Sequence, residues 1–147
     1  MSKLGRTSLA LAGLLAAGGV ATAASITALS DVEPGRWELR VREGGAAGTG
    51  GTHSICVAQP MDLFHVHQPS AGCHRRVLEN TARSATVSFR CPGVGQSRTA
   101  ITVETGRLVQ IEAQGVSRGM PFSTSYEARR VGECSAANTA GRRRRAI

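Results

Sequence analysis

The sequence is short of lysine, aromatic residues and long apolar runs, and each shortage narrows what the chain can be. Its single lysine is Lys3, so every later cation, histidine aside, is arginine. Aromatic residues make up 3% of the chain, and Trp37, Phe64, Phe89, Phe122 and Tyr126 are the whole set. Such a chain builds a thin hydrophobic core, and small domains with thin cores usually need covalent staples. The one extended apolar run, Leu9 to Ala23, is about 15 residues long and rich in Ala and Gly, short of the roughly 20 that span a bilayer. No Gly-x-Ser-x-Gly elbow occurs. Glu38, Glu79, Glu104, Glu112 and Glu127 are scattered on outward strand positions or near turns, which suits solvated charge rather than an acid–base pair. Neither an enzyme nor a cofactor is therefore expected.

What is present begins with a targeting segment. Lys3 and Arg6 precede the apolar run, which ends in the small-x-small triplet Ala21-Thr22-Ala23, so residues 1–23 read as a cleaved signal peptide. No Arg-Arg pair precedes the run and no cysteine follows it, which points to Sec export of an unlipidated protein and a periplasmic location. Residues 24–134 then form one domain, and 135–147 a tail with no apolar period. The formal charge of +8 is concentrated at the ends: Lys3 and Arg6 supply two units and Arg142, Arg143, Arg144 and Arg145 four, leaving +2 on the domain. The arginine block reads as a disordered basic tail able to meet an anionic envelope component. Without interleaved aromatics it lacks the stacking groups of a nucleic-acid binder.

Between these ends the pattern is that of strands. Trp37, Leu39 and Val41 alternate with Arg36, Glu38, Arg40 and Arg42, and a glycine-rich stretch, 43–51, follows as a loop. Further strands are expected at 52–57, 73–79, 85–91, 97–105, 107–114 and 121–131, with a short helix over 59–66 that opens at Pro60. The fold class is mainly β: a single antiparallel meander or half-barrel of about seven strands with one short helix. Cys56, Cys73, Cys91 and Cys134 form an even set behind a signal peptide, hence two disulfides in one of three connectivities. Folding the hairpin 73–91 symmetrically about Ala82 sets Val77 opposite Val87 and Cys73 opposite Cys91, near disulfide distance, and leaves Cys56 for Cys134.

The opening Pro34-Gly35-x-Trp37-Glu38, the cysteine before Pro60-Met61, the two cysteines bracketing a hairpin and the closing run from Tyr126 to Cys134 together resemble a known family. It is a family of exported proteobacterial proteins catalogued as domain of unknown function 3617. The resemblance covers about Val32 to Cys134 and implies a periplasmic, disulfide-bearing β domain, with no catalytic residues to carry over.

One cluster could carry chemistry. His65 and His67 would face the same side of an extended segment, with His74 close behind and His53 nearby in sequence, as imidazole ligands of zinc or copper require. The reading that follows is a periplasmic binding or envelope-associated accessory protein. The alternative is a metal-binding protein that uses His65, His67 and His74.

Overall fold

The computed structural model describes residues 25–44, 51–67 and 72–135. The signal segment, most of the glycine-rich stretch and the arginine tail from residue 136 on lie outside them. Seven strands form one antiparallel sheet: β1 (Gly35–Gly44), β2 (Thr52–Val57), β3 (His74–Asn80), β4 (Ser84–Cys91), β5 (Gly95–Thr105), β6 (Leu108–Ser117) and β7 (Met120–Gly132). Two short 3-10 turns accompany them, η1 (Thr27–Leu29) and η2 (Pro60–His65), the second standing where the short helix was expected. The strand order is β2-β1-β7-β6-β5-β4-β3. Strands β3 to β7 run as a meander, and the β1–β2 hairpin adds to the β7 edge. The sheet is open, with β2 and β3 as its two edges.

Alternation fixes which side of the sheet is inner. Trp37 and Leu39 on β1, Val87 and Phe89 on β4, Ile101 and Val103 on β5, Val109 and Ile111 on β6, and Tyr126 and Ala128 on β7 are all buried. Their outward neighbours are mostly charged or polar, as expected of strands with one wet face. Ladder irregularities in β1, β3 and β5 (Arg36/Trp37, Val41/Glu43, Val77/Glu79, Val103/Thr105) raise the local twist and curl the sheet toward its inner face. Leu63 and Phe64 of η2 close over that concavity, as do Ile26, Ala28, Leu29 and Val32 at the N-terminal end. Capping helps fix η2: the Asp62 carboxylate accepts hydrogen bonds from the Ala58 and Gln59 backbone N–H groups, and Pro60 stands in the first turn. Trp37 is fully buried and donates its indole N–H to the Glu33 carbonyl over 3.0 Å, so no polar atom of the largest core side chain is stranded.

Both disulfides form as expected, Cys73–Cys91 with a Cα separation of 4.2 Å and Cys56–Cys134 with 5.6 Å. The His74↔Arg90 and Val77↔Val87 pairs follow the hairpin symmetry about Ala82, and one step further along lies the first cysteine pair. Several strand ends differ by one to three residues, β1 running on to Gly44 and β5 starting at Gly95, and the largest difference is in β6. The turn expected over 115–119 is only the Arg118–Gly119 pair, and β6 runs on through Ser117. Both turn residues adopt positive φ, 52° and 80°, as a two-residue hairpin with the right-handed twist of its strands requires.

Candidate functional site

The inner face is closed at one end by histidines. The His65 ring packs on Phe89 at 4.8 Å, and the His67 ring lies 5.1 Å from Phe122 and 5.3 Å from Tyr126. The capped η2 turn ends at His65, and Val66 and His67 follow directly. That places the two imidazoles over two rows of the sheet, one topped by Phe89 on β4 and the other by Phe122 and Tyr126 on β7. His67 Nε2 and the Tyr126 hydroxyl share a hydrogen bond of 2.8 Å. On the other side of Tyr126, the His53 ring meets it edge-on at 5.7 Å. His53 pairs with the buried Leu39 in the β1–β2 ladder and so faces inward.

Burial sets the protonation of this pair. Desolvation lowers the His67 pKa below its ordinary value of 6.5, with the charge of nearby His53 a smaller cause in the same direction. Desolvation also raises the Tyr126 pKa above 10.0. At neutral pH a neutral imidazole therefore faces a neutral phenol, a bond without net charge.

Beside the pair opens a cleft of about 1040 Å³. Val41, Val94, Pro121 and the half-buried Phe122 give it apolar walls, and Met120, 69% exposed, stands at its rim. Its polar groups are His67, Tyr126, Thr124, Ser117, Ser123 and the charged Arg118. A concavity that joins apolar walls to convergent polar groups is the usual form of a small-molecule site.

Of the histidines singled out from sequence, His65 and His67 share this end of the sheet but rest on different aromatic rings. His74 stands elsewhere. It pairs with Arg90, whose strand neighbour Phe89 points inward, so His74 lies on the outer face. Among the described residues, no group of three His, Cys, Asp or Glu side chains is placed to hold a metal ion. The structure instead brings His53 and His67 around Tyr126. The chain spacing of 59 residues between His67 and Tyr126 hides that contact from a local reading. A signal existed in the inward phase of Phe122, Thr124 and Tyr126, but nothing in the sequence says which loop covers them. Among the described residues no helix is long and apolar enough to cross a membrane.

Comparison with known proteins gives a family. No curated protein and no solved structure matches the chain. One family model, described as a protein of unknown function (DUF3617), matches residues 32–134. That match takes in the opening strand with Trp37, the η2 turn with its histidines, both disulfides and the closing strand with Tyr126. It covers more than half of the sequence, and the chain belongs to the DUF3617 family.

Proposed function

We propose that the protein is a periplasmic, envelope-associated binding protein rather than an enzyme, and that its ligand is a small, mostly apolar molecule with one polar end. The observation that carries this reading is the cleft beside His67 and Tyr126. Its volume of about 1040 Å³ lies at the upper end of the range for small-molecule sites. Its apolar walls supply burial, at about 25 cal/mol per Å² of apolar surface removed from water. The His67–Tyr126 bond, neutral and half-buried, offers one place where a ligand hydroxyl or carbonyl can join a hydrogen bond between uncharged groups. Among the described residues, no carboxylate bonds His67 to orient the imidazole as a general base of the usual kind. Export rests on the N-terminal segment, and the two disulfides fit an oxidising compartment outside the cytoplasm.

The test is native mass spectrometry of the mature, non-reduced protein purified from the periplasm, before and after chelator treatment and after mild unfolding. An organic mass that survives the chelator and leaves on unfolding is the expected result. A bare protein mass overturns the small-ligand reading, and an adduct that the chelator removes replaces it with the metal reading.

A further inference from the structure

We propose that the outer face of β3, β4 and β5 is a recognition site for a phosphate group, separate from the cleft and on the opposite side of the sheet. Register carries the argument. Arg76, Ser88 and Arg98 lie in one cross-strand row, and His74, Arg90 and Gln96 in the next. Opposed side chains share a face, and diagonal neighbours stand about 7–8 Å apart. Arg90 is thus one diagonal step from both Arg76 and Arg98, with the half-buried Ser88 between them. All three arginines are exposed and line a depression of about 670 Å³. Side chains as long as arginine, rooted this close on neighbouring strands, can meet over one point.

Like charges held together in this way repel, and elsewhere in the molecule four arginines are answered by carboxylates. Arg42 and Arg129 pair with Glu127, Arg107 with Glu33, and Arg130 with Glu33 and Glu133. Among the described residues, no carboxylate forms an ion pair with Arg76, Arg90 or Arg98. By register the nearest is Glu112, a diagonal step from Arg98, and the two make no ion pair. The Glu79 carboxylate is occupied by the hydroxyls of Ser84 and Thr86. Among the described residues, no acidic side chain lines the depression.

Three uncompensated guanidinium groups around a hydroxyl are complementary to a compact anion. Each fork can bond two oxygens, and three forks approaching from separate strands suit a tetrahedral oxyanion better than a planar carboxylate, which one fork satisfies. A phosphate monoester, with nearly two charges and three acceptor oxygens, meets both requirements.

The experiment uses the mature disulfide-bonded protein with its arginine tail intact. Inorganic phosphate is titrated calorimetrically at low salt, and in parallel the protein is floated with phosphatidylcholine vesicles with and without phosphatidate, a phosphomonoester lipid. One variant combines Arg76→Gln, Arg90→Gln and Arg98→Gln. A control of equal charge loss combines Arg40→Gln, Arg42→Gln and Arg129→Gln at the other end of the same face. Surface changes of this kind leave the fold standing. The expected result is binding by wild type and control, weakened at least about tenfold in the first variant by loss of charge-assisted bonds. Binding of the free ion marks soluble phosphate as the source, and binding only to phosphatidate vesicles marks a headgroup. Equal binding by the first variant and wild type, which would assign the effect to the tail, overturns the proposal, as does an absence of binding in both arms.

Discussion

His67 couples the cleft to pH. Its folded pKa lies below 6.5, so between that lowered value and 6.5 the unfolded chain holds a proton that the folded protein does not. Stability then rises with pH across that window. Its contribution is complete above about 6.5, declines as pH falls through the window, and levels off below the folded pKa. Thermal unfolding followed from pH 7.5 to pH 5 should show a falling midpoint, and the change His67→Gln should flatten the fall. A slope unaltered by that change would place the titrating group elsewhere. The histidines also show what a sequence can convey at this scale. His-x-His identifies two imidazoles near each other in the chain, and both do lie at the same end of the sheet. Their ring partners Phe89, Phe122 and Tyr126 come from β4 and β7, and only the assembled register specifies them.

Strands and turns were the most legible layer. Period-two alternation placed β1 and β4 to β7 within a few residues, because each has one wet and one dry face. The edge strands β2 and β3 are largely exposed, and their placement rested on turn and cysteine spacing. Cysteine pairing could be read for the same reason: a hairpin symmetric about Ala82 leaves little choice of partner for Cys73. The first 3-10 turn went unseen, since Thr27–Leu29 is too short to show a period and has no side-chain cap. The half-barrel reading anticipated a curved sheet but not the positions of its bulges, because bulges depend on how two strands mismatch rather than on either strand alone. The two disulfides should differ in worth. With sequence separations of 18 and 78, the chain-entropy model assigns about 3 kcal/mol to Cys73–Cys91 and about 4.5 to Cys56–Cys134. Denaturant midpoints of the two double-alanine variants should fall in that order. The reverse order would show that the links act through native packing rather than through the unfolded chain.

Taken whole, the molecule is dominated by contacts between distant parts of the chain. Strand β1 pairs with β7 from Arg36↔Gly132 to Gly44↔Thr124, so the first strand of the sheet lies beside the last. Sheets built on such non-local pairing fold in milliseconds to seconds rather than microseconds. Trp37 reports directly on this step, being the single tryptophan, fully buried, and paired with Arg130 across the β1–β7 ladder. Refolding of the disulfide-intact protein, followed by Trp37 fluorescence, should fall in that slow range. A microsecond phase carrying the full amplitude would mean that the indole is buried before β7 arrives.

The same pairing bears on how the chain behaves while it is being made. Synthesis delivers β1 and β2 first and β7 last, so for nearly the whole interval the opening hairpin has its partner edge missing and the Cys56 thiol has no Cys134 to meet. A nascent chain of this design stays loose until its final strand emerges, and loss of that strand through a premature stop would strand two exposed β edges instead of leaving a smaller folded unit.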